Sequence, residues 1–135
     1  MAPEIWVFDI RRALNTWRRR NFQYGDSDCC SFVAHMASEL TGEDYSKYIT
    51  YKSEREAYDI IRSHGSFEAL MDSVFGDPCD PELGSPCMVD IPISGKLMGI
   101  KYTDGVVCVT KKGLTIIPDR YIIRGWSLCP VQSSQ

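Results

Sequence analysis

The stretch that decides the fold reads Phe22-Gln23-Tyr24-Gly25-Asp26-Ser27-Asp28-Cys29-Cys30-Ser31-Phe32-Val33. An aromatic residue and a glycine lead to Asp-Cys, and an apolar helix is predicted to begin there. A helix N-terminus stabilises a thiolate through its unpaired N–H groups and its dipole. Cys29 is therefore the candidate catalytic nucleophile, and the backbone N–H groups of Cys29 and Cys30 are the candidate oxyanion hole.

The helix that follows has one apolar face. Its apolar residues recur at the spacing of a helix, and Cys29 is the first of them, in the first turn. Either Ser27 or Asp28 can cap its start, and Thr41-Gly42 predicts its end. The predicted core-facing residues are Cys29, Phe32, Val33, Met36 and Leu40.

Three more helices are predicted. The first starts near Pro3 and ends in a basic cluster before Asn21. Ser53-x-x-Glu56 is a capping box for a second, which stops at Gly65, and Ser66 caps a third that ends at Phe75. The apolar face of the N-terminal helix is Trp6, Ile10, Ala13, Leu14 and Trp17.

After an irregular connection from Gly76 to Pro86, the spacing of apolar residues changes from that of a helix to that of strands. Turn signals at Ser94-Gly95, Asp104-Gly105 and Lys112-Gly113 separate apolar runs of strand length. The predicted strands are Met88 to Ile93, Leu97 to Tyr102, Val106 to Thr110, Leu114 to Ile117 and Tyr121 to Trp126. The prediction is a single α+β domain over residues 1–135, with helices on one face of a small antiparallel meander.

Composition excludes several classes of protein. The 135 residues are 44% hydrophobic, enough for a core, and the net charge of −3 does not suggest a nucleic-acid binder. No segment reaches the roughly 18 apolar residues of a membrane span. The first residues lack the pattern of a signal peptide. The basic cluster of Arg11, Arg12 and Arg18 to Arg20 is interpreted as a solvated face rather than a binding patch.

The cysteines do not form a recognisable metal motif. No Cys-x-x-Cys pair occurs, so we expect neither a metal nor another cofactor, although a soft-metal or iron–sulfur site is kept as an alternative. An exported chain could pair these cysteines as disulfides, but without a signal peptide we expect reduced thiols. The six positions are 29, 30, 79, 87, 108 and 129.

Helix-borne Asp28-Cys29, followed by Phe32-Val33 and a small antiparallel sheet, resembles the NlpC/P60 branch of the papain-like cysteine peptidases. More closely, the whole chain resembles a group of phage and prophage proteins from tail gene clusters. Their pattern is matched here by Phe22, Tyr24, Gly25, Asp28, Cys29, Phe32, Val33, Ala34, Thr41 and Gly42. Looser matches follow at Leu97 to Ile100, Gly113-Leu114 and Trp126.

The resemblance implies a histidine base that this chain lacks. In NlpC/P60 enzymes the base lies in a His-Val-Gly-Ile-like strand, which aligns with Leu97-Met98-Gly99-Ile100 and puts Leu97 at the base position. The Gly-Asp that precedes that strand is absent as well. The two histidines are His35, which diverges from Cys29 around the same helix, and His64, at the end of another helix.

Cys29 therefore has three interpretations: an ordinary core cysteine, a vestigial or accessory thiol, and a working nucleophile. The resemblance and the missing base together predict a structural or assembly component of a phage tail tip, built on an inactive NlpC/P60-like domain. Its partners would be other phage tail proteins, and it would reside in the virion after assembly in the host cytoplasm. The alternative is an active cysteine peptidase or amidase that cleaves peptidoglycan stem peptides during phage entry.

Three segments are predicted to bind the neighbouring tail proteins. They are the Arg-rich N-terminal helix, the Tyr-rich segment 45–51 and the Pro-rich connection 77–86, because loops that project from a scaffold commonly carry recognition. The candidate interface residues are Arg19, Tyr48 and Tyr51.

Overall fold

The computed structural model describes residues 10–12, 14–15, 17 and 28–128. Helices precede strands along the described part of the chain, as predicted, which confirms the α+β class. The helices are α1 (Cys29–Thr41), α2 (Glu54–Ser63) and α3 (Phe67–Phe75). The strands are β1 (Pro86–Ile91), β2 (Gly95–Tyr102), β3 (Gly105–Thr110), β4 (Gly113–Ile117) and β5 (Ile122–Gly125). Short 3₁₀ turns occupy Ser46–Tyr48 and Asp119–Tyr121.

The described positions before residue 18 are helical, and three of them contribute to the core. Ile10, Leu14 and Trp17 are buried, and the Trp17 ring meets Phe32 edge-on with 5.3 Å between ring centroids. These three residues lie on the predicted apolar face of the N-terminal helix. Trp6, Ala13 and the ends of that helix lie outside the described residues.

The five strands form one antiparallel sheet in the order β4-β3-β2-β1-β5. The first four make the predicted meander, but β5 pairs with β1 at the opposite edge from β4. The connection from Ile117 to Ile122 spans at most about 18 Å when fully extended. Four strand spacings in a flat sheet measure about 19 Å. The sheet must therefore curl to bring its two edges together.

The curled sheet separates two apolar clusters, because successive side chains of a strand point to opposite faces. The helix-side cluster joins the sheet to the helices and includes Met88, Met98, Ile100, Val107, Val109 and Trp126 with the apolar face of α1. The inner cluster lies on the other face and comprises Cys87, Val89, Val106, Cys108 and Ile117.

Helix α1 is fixed at both ends by the residues that the sequence indicated. Asp28 is the N-cap, and its carboxylate accepts from Ser31 N–H at 2.8 Å while Ser31 Oγ accepts from Asp28 N–H at 2.9 Å. Gly42 ends the helix with φ 83°. The apolar stripe is buried as predicted, and each such side chain contributes about 1.5–3 kcal/mol. The buried members are Phe32, Val33, Met36 and Leu40.

Helices α2 and α3 begin at their predicted caps, Ser53 and Ser66. Helix α2 contains no fully buried residue. Helix α3 is tied to the sheet by Asp72, whose carboxylate accepts from Trp126 Nε1–H at 2.9 Å and from Arg124 at 2.7 Å. These two helices therefore form a half-buried layer that is anchored mainly through α3.

The hairpin between β1 and β2 differs from the sequence prediction. Strand β1 ends at Ile91 rather than Ile93, and Ser94 N–H donates to the Pro92 carbonyl at 2.8 Å in a three-residue turn. Ile93 sits at the centre of this turn with φ 72° and is fully exposed, at 107%. A positive φ is strongly disfavoured for a β-branched residue. The alternation of apolar residues continues through Ile93, so the sequence pattern predicts strand where the structure has a turn.

We expect Ile93→Gly to stabilise the protein, because glycine adopts a positive φ without strain. The strain relieved is about 1–2 kcal/mol, and the added flexibility of glycine offsets part of it. Chemical denaturation should show a free energy of unfolding raised by about 0.5–1 kcal/mol. Ile116→Gly, at an exposed position of β4, is the control and should lower it. A destabilised Ile93→Gly variant would contradict the strained turn.

Candidate functional site

The structure places the Cys29 and Cys30 thiols at the start of α1, where that helix packs against β2. The Met98 N–H in β2 hydrogen-bonds to the Cys29 thiolate. Asp28, the N-cap, accepts two hydrogen bonds: its carboxylate accepts from Ser31 N–H at 2.8 Å and its carbonyl from Phe32 N–H at 3.0 Å. The N–H groups of Cys29 and Cys30 are thus the donors at the helix start that lack an intrahelical acceptor, as a candidate oxyanion hole requires.

The pKa of the Cys29 thiol is lowered from its ordinary value. A hydrogen bond from the Cys30 thiol is the largest cause, and the Met98 N–H and the N–H of Cys29 itself act in the same direction. Burial and the nearby Asp28 carboxylate oppose them. The site therefore favours a thiolate at Cys29 through hydrogen-bond donors.

Cys30 behaves in the opposite way. Its pKa is raised, first because its thiol is held as the donor to Cys29, and then because it is buried. Tyr51 lies beside it, and the pKa of that phenol is raised first by burial, with a further contribution from the Asp28 carboxylate. Cys30 and Tyr51 thus stay protonated and serve as donors around Cys29 and Asp28.

Leu97, the residue at the aligned base position, lies next to Met98 in β2. Met98 belongs to the helix-side cluster, whereas Leu97 packs against the inner cluster on the opposite face of the sheet. The Met98 backbone therefore faces the Cys29 thiol, whereas the Leu97 side chain points to the opposite face of the sheet. An imidazole in its place would face the inner cluster.

Neither histidine supplies a base. No histidine is among the groups that shift the pKa of Cys29. His35 lies about 9 Å further along the axis of α1, and its ring packs edge-on against Trp17, 5.4 Å between centroids. His64 is the exposed C-cap of α2, with Nδ1 3.1 Å from the Ile60 carbonyl oxygen. This agrees with its interpretation as a residue of a helix C-terminus.

Asp28 has a structural role, and it also affects the Cys29 thiol. It is 4% exposed and caps α1 through its carboxylate. Its charge raises the pKa of Cys29 rather than lowering it. Asp28 is engaged as the helix cap and is not a partner that lowers the pKa of Cys29. The described site thus contains hydrogen-bond donors that lower the pKa of the Cys29 thiol, and no histidine is among the groups that shift that pKa.

Two further cysteines line the inner cluster close to this site. Cys87 and Cys108 both pair with Gly99, one on each side of it. Burial raises the pKa of Cys87 to about 12, and it also raises that of Cys108, with a further contribution from Cys29. A Cβ on Gly99 would lie 2.6 Å from Cys108 Sγ, so only glycine fits between them. Both thiols are core residues.

An apolar cavity of about 50 Å³ lies on the other side of Cys30, between the helices. We call it the helix cavity. Its walls come from α1, the segment 45–51, α2 and α3. They consist of Cys30, Val33, Ala34, Tyr45, Tyr48, Ile49, Tyr51, Ala57, Ile60, Ile61, Phe67, Leu70, Met71, Val74 and Phe75.

The predicted interface residues differ in their exposure to solvent. Tyr48 is 41% exposed and remains a candidate. Tyr51 is 7% exposed, so the expectation that it contacts a partner and can be changed without loss of stability is wrong. Its ring is buried because it closes the helix cavity beside Cys30. Arg19 lies outside the described residues.

The sequence indicated Cys29 and Cys30 but missed their surroundings. The spacing Asp28-x-x-Ser31 was a usable signal for the capping box, which normally ends in Glu or Gln. No sequence signal indicated that Tyr51 and Met98 flank the thiols, since they come from a loop and a strand far along the chain. Within the described residues no three His, Cys, Asp or Glu side chains group as metal ligands. None of the described helices could span a bilayer.

We expect Cys30→Ala to raise the pKa of the Cys29 thiol, because it removes the largest cause of the lowered value. The ultraviolet absorbance of the thiolate, taken as the difference from Cys29→Ala, reports this titration. Its midpoint should move to higher pH. Cys87→Ala is the matched control and should leave the midpoint in place. An unchanged midpoint in Cys30→Ala would contradict the donor role of Cys30.

Comparison with protein families gives a match to a family without an assigned function. No curated protein matches the chain. The matching family profile covers residues 1–128, which is nearly the whole chain. The chain therefore belongs to the family described as domain of unknown function DUF6950.

Proposed function

We propose that this protein is a structural or assembly component of a phage tail, at the tail tip, built on an NlpC/P60-like domain that does not hydrolyse peptides. Its partners are other phage tail proteins, and it acts in the virion after assembly in the host cytoplasm. The sequence resemblance to tail-cluster proteins motivates the tail assignment. The chemistry of the thiol site motivates the loss of hydrolysis.

The observation that carries the proposal is a helix-terminal thiol without a base. Amide hydrolysis needs a group that protonates the leaving amine as well as a nucleophile. General acid–base assistance contributes about 10²–10⁴ in rate. Cys29 has hydrogen-bond donors around it, but Leu97 faces the inner cluster and His64 is the exposed C-cap of α2. Fold and chemistry are separable, so such a domain can serve as a scaffold.

The surface that supports binding is the exposed part of the segment 45–51. Tyr48 is 41% exposed, and the Lys47 ammonium lies 5.4 Å from its ring centroid. Large aromatic side chains that present polar tips are favoured at protein interfaces. In the connection 77–86, Cys79 is exposed, and its N–H donates to the Gly125 carbonyl of β5 at 2.8 Å. These segments carry the proposed contacts, and the thiol site does not.

A second candidate function is a cysteine peptidase or amidase acting on peptidoglycan stem peptides. The lowered pKa of Cys29 and the N–H donors of the first turn of α1 favour it. It requires a proton carrier that the described residues do not place beside the thiol. Cleavage of a stem peptide by the purified chain decides between the two functions.

We expect Cys29→Ala to leave phage function intact when the variant folds. Plating efficiency should stay within about tenfold of wild type, because catalysis through the thiolate is not part of the role. The purified wild-type chain should release no product from a peptidoglycan stem peptide. If the wild type cleaves the stem peptide above background and Cys29→Ala does not, the scaffold proposal is overturned and the chain is a peptidase.

We expect Tyr48→Ala to reduce incorporation of the protein into phage particles while leaving its thermal stability nearly unchanged. The reason is that the Tyr48 ring lies at the exposed rim of the helix cavity, so its removal takes away little buried area. Tyr58→Ala is the matched control, since Tyr58 is 51% exposed on α2 and does not line the helix cavity. Quantitative blotting of purified particles measures incorporation. Equal incorporation of both variants would place the tail contact elsewhere.

A further inference from the structure

The chain carries both an exposed apolar knob and an apolar recess, and we propose that two copies associate by exchanging them. Ile93 of one copy enters the helix cavity of the other, and the same contact forms in reverse. This inference does not rest on the tail assignment, because it concerns the purified chain alone. It names a second copy of this chain as the occupant of the helix cavity.

Ile93 is costly as a free surface residue in two independent ways. Its φ of 72° is strained, and its side chain is fully exposed. The backbone of the turn Pro92-Ile93-Ser94 makes a hydrogen bond of 2.8 Å, which relieves neither cost. Strain of this kind is typical of sites that bind something. The turn holds Ile93 away from the sheet as a knob.

The helix cavity is suited to such a knob. All of its lining residues are uncharged, and most are aliphatic or aromatic. The volume of about 50 Å³ can take the end of one branched side chain. The turn 92–94 carries no charge either, so insertion leaves no charge buried without a partner. The two surfaces therefore match in polarity.

Knob and recess lie on neighbouring elements, so one two-fold axis can serve both contacts. Lys96 Nζ in the β1–β2 hairpin is 2.9 Å from Glu68 Oε2 at the start of α3. Phe67 and Leu70 of the same helix line the cavity. A two-fold axis between knob and recess pairs each Ile93 with the other copy's cavity, as an isologous interface demands.

Charges near the contact favour a second copy over a lipid surface. Asp90 is exposed at the base of the hairpin, and Lys47 is exposed at the mouth of the cavity beside Tyr48. In the exchanged arrangement the hairpin carboxylate approaches a cation of the other copy. An anionic lipid surface would instead repel the exposed Asp90 carboxylate.

Sedimentation equilibrium of the full chain tests the proposal. The wild type should show a concentration-dependent monomer–dimer equilibrium. Ile93→Asp should weaken the dimer by at least about tenfold in Kd, because it places a charge in the apolar recess. Ile116→Asp, an equally drastic change at a residue 54% exposed on β4, is the control and should leave the Kd unchanged.

A complementation experiment guards against effects of misfolding. Ala57→Phe fills the recess and keeps the knob, whereas Ile93→Asp removes the knob and keeps the recess. Each variant alone should be monomeric. Their mixture should form a heterodimer, weaker than the wild-type dimer, because one of the two knob–recess contacts is restored. Wild-type chain that stays monomeric at every concentration would overturn the proposal, as would equal Kd values for Ile93→Asp and Ile116→Asp. Wild type that remains monomeric and binds phosphatidylserine vesicles through Ile93 would overturn it in favour of a lipid partner.

Discussion

The structure depends on the burial of the apolar stripe of α1 against the curled sheet. Phe32, Val33 and Met36 pack with Met98 and Ile100 of β2 in the helix-side cluster. The Asp28 capping box determines where the helix starts. Because start and packing face are both fixed, Cys29 can lie only at the edge of the cluster, against the backbone of Met98. The position of the thiol is thus a consequence of core packing.

That position gives the thiol hydrogen-bond donors, and no histidine is among the groups that shift its pKa. The helix start, Met98 N–H and the Cys30 thiol all stabilise negative charge on Cys29. Met98 and Ile100, on the helix side of β2, are apolar because they belong to the core, and Leu97 packs against the inner cluster. A helix-terminal cysteine is half of a hydrolase site, and in the described residues this part of the sheet supplies packing beside it.

The elements that follow local rules could be predicted from the sequence. Helix α1 and the caps Asp28, Ser53 and Ser66 were indicated by spacing and side-chain chemistry, and the strands lay between glycine turns. The crossing of β5 to β1 could not be predicted, because it depends on sheet curl, which no local pattern encodes. Ile93 continues an alternation of apolar residues, so the sequence pattern predicts strand at that position. The burial of Tyr51 depends on α2 and α3 closing over it, which is a tertiary effect.

We propose that Cys29 can act as a nucleophile but does not complete a catalytic cycle. Incubation of the purified chain with p-nitrophenyl acetate tests it most directly, since attack needs only a thiolate while deacylation needs a base to activate water. We predict a single burst of nitrophenolate, an acetyl group that accumulates on Cys29 by mass spectrometry, and no steady turnover. Sustained turnover that requires Cys29 would contradict the account and reveal a functional base.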